Sequence, residues 1–320
     1  MKLPKFKSFL LLFLSLCSPL LLQGCNNGQQ DKSQEELNRL SEAEPATETA
    51  APTAARSARQ LAESYLSKTP ASPAGANLTL EQGKQIQKQF VRELSKTLGP
   101  RVGYKAGLTN AAARERFQVA EPLRGVLLEK MLLPNGANGA VVPANFGIRA
   151  IAEGDLIVRV GRDAINQAET PQEVLASLDA AIPFIELADL VYSEKVKLDA
   201  SAIAAINVGA RSGILGNPIP LAATEEWEKR LANLQLELLD ESGTVLAAGK
   251  GSDLLGHPLN VVLWLKDSLA AEGKQLKKGD LLSLGTIAKP IPVRANTKKI
   301  RARYIGLDPA GSVEIEVNFE

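Results

Sequence analysis

The chain has 320 residues, 45% of them hydrophobic and only 4% aromatic, and its 37 basic and 36 acidic side chains leave a formal charge of +1. That balance gives no electrostatic footprint for nucleic acid, and so few aromatic rings provide no stacking surface for single strands or sugars. The length suits one large domain with a terminal extension.

At the N-terminus, Lys2, Lys5 and Lys7 precede an apolar stretch from Phe9 to Leu22, the layout of a secretory signal. The stretch is shorter than the roughly 20 apolar residues of a comfortable bilayer span. Leu22-Gln23-Gly24-Cys25 resembles a lipobox, cut ahead of a diacylglycerol-modified cysteine. Residues 1–24 then form a bacterial lipoprotein signal peptide and Cys25 carries the lipid, the single membrane contact expected of the chain. Asn26 in the following position points to the periplasmic side of the outer membrane. Loss of residues 1–24, which hold three lysines and no acid, takes the formal charge to −2. Cys17 leaves with the signal, so no free thiol remains for disulfide, zinc-thiolate or nucleophile chemistry, as suits an oxidising compartment. Residues 25–57 are rich in Gln, Glu, Ser, Thr, Ala and Pro; they bury too little apolar surface to order themselves and read as a flexible tether. The globular domain is expected over 58–320.

Within that domain an Ala-rich helix is expected from about Ala58 to Ser67. Thr79 and Gln82 form a capping-box pattern, and Ile86, Phe90, Val91, Leu94 and Leu98 recur at helical spacing up to Gly99-Pro100, predicting an amphipathic helix with both ends marked. Thr170-Pro171-Gln172-Glu173 repeats the capping logic and predicts a helix that ends near Pro183. Further helices are expected after Thr224, around Trp227, and from Pro258 to about Ala271. Strand-like runs cover Leu156 to Val160, Phe184 to Leu187, Leu234 to Leu239, Thr244 to Ala248, Leu281 to Leu284, Lys299 to Tyr304 and Val313 to Val317. The pattern is α+β with a mainly β core. It contains no internal repeat, phosphate-binding glycine loop or serine elbow.

The run Ala152-Glu153-Gly154-Asp155-Leu156-Ile157-Val158-Arg159-Val160 carries two acids two residues apart. In a strand, period two places Glu153 and Asp155 on one face, with Gly154, Leu156, Val158 and Val160 on the other. Glu186 lies in the otherwise apolar segment Ile182-Pro183-Phe184-Ile185-Glu186-Leu187, where an unpaired charge would be costly. Three carboxylates from two strands make a hard oxygen site suited to Mg²⁺ or Mn²⁺. The same residues also read as a solvated face or as ion-pair partners, with Arg159 on their face as the obvious counter-charge.

Several segments bear a family resemblance. Gly103-Tyr104-Lys105-Ala106-Gly107-Leu108-Thr109 is similar to the GYKxGLT segment of the 2-keto-4-pentenoate hydratase branch of the fumarylacetoacetate hydrolase superfamily, and EPLRGVLL from Glu121 to its following ExxxGxL stretch. Glu153-Gly154-Asp155 resembles the family's acidic metal pair and Pro183-Phe184-Ile185-Glu186 the stretch of its third acid. Asn207-Val208-Gly209-Ala210-Arg211 stands where members often carry a DNAS-like run, and the stretch from Gly256 to Thr286 closely resembles the C-terminal signature.

The resemblance, from about Leu78 to Val317, implies the superfamily's fold, a mixed β-roll or sandwich flanked by helices. It implies Mg²⁺ or Mn²⁺ on Glu153, Asp155 and Glu186, acting as a Lewis acid that stabilises the enolate of a small 2-oxo acid or dienoate, with water then added across the distal double bond. Lys105 is implied as the catalytic group that orients the enol or exchanges a proton with it, and Lys105, Leu108, Ser252 and Thr286 as substrate-binding. Acid-base work by Lys105 near neutrality would need its pKa lowered from about 10.4. The single histidine, His257, reads as capping a helix; with no histidine near Glu153, hydration, decarboxylation or tautomerisation fits better than carbon-carbon hydrolysis. Two other readings stand beside the hydratase: a decarboxylase or tautomerase on the same site, and a non-catalytic envelope protein that binds a small carboxylate, with Arg211 altering the pocket. The family resemblance also implies a homo-oligomer.

Overall fold

The structure is a computed structural model that describes residues 50–320. The signal segment, Cys25 and the tether as far as residue 49 lie outside the described residues.

The first helix, α1 (Ala50–Ser67), begins well before Ala58, so residues 50–57, expected in the tether, are helical. Four alanines in its first six residues favour this, and Ala58, Leu61, Ala62 and Tyr65 give it a buried stripe. That stripe packs on α2 (Leu80–Leu98), where Tyr65 meets Phe90 edge to face at 5.7 Å. The predicted capping box of α2 is present: Gln82 N–H donates to Thr79 Oγ1 at 3.2 Å and Thr79 N–H to Gln82 Oε1 at 2.9 Å. Among the described residues no helix is long and apolar enough to cross a membrane.

Next come β1 (Arg101–Gly107), α3 (Ala111–Phe117), β2 (Leu123–Leu128), β3 (Leu132–Pro134) and β4 (Ala140–Val142). The long strands β5 (Ala150–Val160) and β6 (Leu178–Asp189) flank a one-turn helix, α4 (Pro171–Leu175). After them follow α5 (Ala200–Ala205), β7 (Ser212–Leu215), β8 (Ile219–Pro220), α6 (Glu225–Asn233), β9 (Gln235–Leu239), β10 (Val245–Lys250), α7 (Pro258–Ala270), β11 (Leu281–Ser283), β12 (Ile291–Pro292), β13 (Lys299–Asp308) and β14 (Gly311–Phe319). One sheet has the order β2-β1-β11-β5-β6-β7-β3, with β12 on β5 and β8 on β6; the second runs β10-β9-β13-β14-β4. All seven strand-like runs are strands, most of them longer than their apolar kernels. Mixed α+β with curled sheets is therefore what the chain adopts.

The helix expected to run from Thr170 to Pro183 stops at Leu175, and Leu178 to Pro183 belong to β6 instead. Helical periodicity fits only a few positions of a segment that is buried on both sides from Ala180 to Asp189, and a strand buried on both faces reads as a continuous apolar run. Pro183 is tolerated because on one side β6 pairs with β8 at Ala180 and Ala181 and with β7 only from Phe184. The missing N–H falls between those pairings.

Ala152, Leu156 and Val158 of the first sheet share one core with Leu236, Ala302, Ile315 and Val317 of the second and with Val262 and Leu265 of α7. Tyr304 on β13 ties the sheets together by a polar contact: its hydroxyl accepts from Phe184 N–H at 2.9 Å and lies 2.5 Å from Asp155 O and 2.9 Å from Phe184 O. Burial raises its pKa, so it stays a phenol. Substituting Tyr304→Phe leaves the Phe184 amide buried without an acceptor and should cost about 1–3 kcal/mol. Urea unfolding of the two proteins checks this; an unchanged midpoint would remove the inter-sheet hydroxyl from any role in stability.

Candidate active site

Antiparallel pairing of β5 with β6 sets Glu153 directly opposite Glu186 and Asp155 opposite Phe184. Cross-strand partners lie on the same face, as do residues two apart, so all three carboxylates share one side of the sheet. The opposite side is core: Gly154 lies against Leu236. Glu186 and Asp155 are 1% and 0% exposed, and Glu153 is half-buried.

Lys105 reaches the same place from β1. Its ammonium, 3% exposed, forms an ion pair with Glu186 Oε1 and donates to Val208 O at 3.0 Å. Glu186 Oε2 is buried with no hydrogen-bond partner among the described residues. Asp155 is held differently: Oδ1 accepts from Leu156 N–H at 2.5 Å and Leu284 N–H at 3.2 Å, and Oδ2 from Ser283 Oγ at 2.5 Å. Glu153 has no hydrogen-bond partner among the described residues and interacts only with the charges of Glu186, Lys105 and Asp155. The sheet thus gathers the three expected acids and Lys105, yet among the described residues no three acidic, histidine or cysteine side chains close around a common point as metal ligands.

The electrostatics follow from this crowding. Three carboxylates face one ammonium, so full ionisation would leave a net charge of −2 in a buried place. Burial first, then the charge of Glu186, pushes the pKa of Glu153 to about 8 and that of Asp155 to about 7. For Lys105 burial alone would lower the pKa, but Glu186, Glu153 and Asp155 together outweigh it and hold the ammonium above the ordinary lysine value. The lowering that acid-base work near neutrality would need is therefore not found in the metal-free protein.

Other expected residues are placed as follows. Leu108, directly after β1, adopts a left-handed backbone (φ +59) and packs beside Leu123, Ile203, Ala204 and Val208. Thr286 is half-buried and its hydroxyl donates to Ala288 O at 2.6 Å. Ser252 is exposed on the turn after β10. No hydrogen bond joins Leu108, Ser252 or Thr286 to the carboxylates among the described residues. Arg159 does not answer Glu153 or Asp155; it pairs with Asp179 at 2.6 Å, the nearer acid on β6. Arg211 is a structural tie: its guanidinium stacks over Tyr65, pairs with buried Asp189 at 3.1 Å and donates to Phe146 O and Tyr65 O. His257 caps α7 as expected, Nδ1 accepting from Leu259 N–H at 3.0 Å, while Nε2 meets Glu228 O at 3.0 Å. Ser283 and Val208 escaped the sequence reading. A lone hydroxyl in the apolar Leu281–Leu284 run was the available signal for the first; a backbone carbonyl leaves none.

The raised carboxyl pKa values have a consequence for stability. Between their ordinary values near 4 and their folded values of about 7 and 8, the folded protein holds protons that the unfolded chain releases. Their contribution is complete below about pH 4 and is lost as pH rises through 7 to 8. The Tm of metal-free, chelator-treated protein should fall over that window, and Glu153→Gln should flatten the fall; equal slopes for the two proteins would contradict the assignment.

No family model matches the chain. The 2-keto-4-pentenoate hydratase 1 of Dechloromonas aromatica is 26% identical over 200 residues, 62% of this chain and 72% of the relative. The structure of 4-oxalocrotonate decarboxylase from Pseudomonas putida G7, complexed with magnesium and adipate, matches with a TM-score of 0.71 at 26% identity, covering 83% of this chain and 97% of that one. A fumarylacetoacetate isomerase/hydrolase-type protein from Oleispira antarctica, 13% identical, shares the fold alone, with a TM-score of 0.50 over 68% of this chain and 94% of the other. In both sequence and fold, then, the chain resembles the 2-keto-4-pentenoate hydratases and 4-oxalocrotonate decarboxylases of the fumarylacetoacetate hydrolase superfamily.

Proposed function

We propose that the chain is a divalent-cation-dependent lyase that adds water to a small 2-hydroxydienoate or 2-oxo-enoate. The observation that carries this reading is the uncompensated buried charge: three carboxylates share one face around a single ammonium, and the second oxygen of Glu186 is buried and unpartnered. Buried charge without a partner is strongly unfavourable, and one dication offsets the deficit. Glu153 and Glu186 offer the open oxygens, with Asp155 as the third carboxylate beside them. Hard oxygen donors suit Mg²⁺ or Mn²⁺, and the decarboxylase relative holds magnesium. When bound, such a cation supplies a Lewis acid for the oxygen of a 2-oxo acid.

Lys105 has three N–H donors, of which Glu186 and Val208 O take two. The third is left for a substrate carboxylate or enol oxygen. As an ammonium, which the neighbouring carboxylates favour before a cation binds, Lys105 anchors charge or donates a proton.

A second reading, decarboxylation, is favoured by the 4-oxalocrotonate decarboxylase relative and the dicarboxylate in its structure. Product analysis separates the two. Offered 2-oxo acids and 2-hydroxydienoates with Mg²⁺ or Mn²⁺, the protein should turn over at least one of them. Glu153→Gln and Glu186→Gln should abolish the cation dependence, and Lys105→Met should lower kcat/KM about 10²–10⁴-fold. A hydroxylated product supports hydration and released CO₂ supports decarboxylation. Cation binding without turnover of any substrate would leave the carboxylate-binding protein, and a folded protein that binds no cation would overturn the carboxylate site.

We also propose that Cys25 is lipidated and holds the domain on the periplasmic side of the outer membrane. The wild-type protein should then fractionate with membranes and Cys25→Ser with the soluble fraction; identical fractionation of both would remove the anchor.

A further inference from the structure

The carbonyl that receives the Lys105 ammonium belongs to a strained turn. Between α5 and β7, Asn207, Val208 and Gly209 all have left-handed backbones, at φ +57, +56 and +72. Asparagine and glycine tolerate that region, but a β-branched valine rarely does and stays there only when its surroundings over-determine it. The surroundings here are specific. The Asn207 side chain, 0% exposed, accepts from Val126 N–H at 2.8 Å and donates to Val126 O at 2.8 Å, so its amide takes the place of a neighbouring strand along β2. Gln87 on α2 donates to Asn207 Oδ1 at 3.1 Å and to Arg124 O at 2.7 Å, joining the helix to both partners.

Two glycines keep room for this contact. A Cβ on Gly125 would fall 2.6 Å from Lys105 Cγ and 2.9 Å from Asn207 O, and one on Gly107 would fall 2.4 Å from Val208 Cγ1. The lysine stem and the turn therefore pass each other across β1 and β2 at positions without side chains. On the far side of the turn, Tyr65 of α1 places its hydroxyl 3.3 Å from Ala210 O and 3.1 Å from Arg211 O. Both N-terminal helices brace the segment.

We propose that Asn207, supported by Gln87, is a positioning residue: it clamps the strained turn to β2 so that the Val208 carbonyl fixes the Lys105 ammonium in one orientation against the substrate. Asn207 itself touches neither substrate nor cation. The inference rests on the proposed role of Lys105 in turnover and deepens it.

The test uses the whole chain, with Asn207→Ala and the less buried Gln87→Ala as variants. Asn166→Ala serves as a structural control, because Asn166 makes a comparable set of hydrogen bonds to Asp163 and Leu276 remote from Lys105. The first readout does not depend on activity. In protein labelled with ¹⁵N-lysine, the Lys105 ammonium should give a resonance protected from solvent exchange, assigned by its absence in Lys105→Met. It should broaden or vanish in both test variants and persist in the control. The second readout is kinetic: kcat should fall, by about 10²-fold for Asn207→Ala and less for Gln87→Ala, with Mn²⁺ affinity unchanged, and Asn207→Asp, which keeps both acceptor contacts, should recover part of the loss. A Lys105 resonance unchanged in folded Gln87→Ala and Asn207→Ala, with kcat as in the wild type, would overturn the proposal. If the wild type turns over no substrate, the lyase reading fails, while the resonance still decides the role of Asn207.

Discussion

The buried encounter of Lys105 with Glu186 is the constraint around which the rest of the site is arranged. Neither group could sit alone at 3% and 1% exposure: an isolated charge in the interior costs far more than one hydrogen bond returns. Pairing answers one carboxylate, but Glu153 and Asp155 crowd the same face, and the metal-free protein compensates by retaining protons on them. Such an arrangement is a poor way to stabilise a fold, since well-packed apolar residues of similar volume commonly do as well or better. Strongly perturbed carboxyls around a charge partner are instead what a working site requires.

Every element that touches this pair is fixed by something other than the pair itself. The β5–β6 register sets the two glutamates opposite each other, and a slip of one residue would send Glu153 and Asp155 to the apolar face now occupied by Gly154 and Leu156. Ser283 and the amides of Leu156 and Leu284 hold Asp155. Tyr304 arrives from the second sheet to bind the peptide groups of Asp155 and Phe184, so that the sheets cannot shift without disturbing the strand pair that carries the acids. On the other flank the N-terminal helices press on the turn that supplies the Val208 carbonyl. The site is thus supported from both sheets and from the helices.

Much of the fold was legible because it rests on local rules. Thr79 with Gln82, Thr224, and His257 before Pro258 mark helix starts through side chains that bond amides within the same turn, and the structure places those starts as expected. The acids of β5 were legible through period-two alternation. Where burial replaced periodicity the reading failed: from Ala180 to Pro183 the chain is apolar on both faces, and a helix and a buried strand then look alike. At the start of α1 the misreading was compositional, since an Ala-rich segment counted as tether is held in a helix by its continuation onto Leu61 and Tyr65. Arg159 and Arg211 meet acids that no local stretch singles out, since Asp179 and Asp189 lie 20 and 22 positions from them and the choice is geometric.

By itself, then, the sequence determined the residue types of the site, the strand that carries Glu153 and Asp155, the helix caps, and, through the GYKAGLT and GHPLN segments, the family resemblance. These depend on neighbours within a few positions or on motifs that stand intact in the chain. Only the tertiary structure decided that Lys105 pairs with Glu186, that Ser283 restrains Asp155, that a left-handed turn at Asn207 and Val208 presents a carbonyl to the ammonium, and that Arg211 is spent on Asp189 and Tyr65. Each of those contacts joins residues from 22 to 146 positions apart or from separate strands. Which charge meets which partner is settled by strand order and by the cost of leaving a buried group unpaired, and neither is written in any local stretch of the chain.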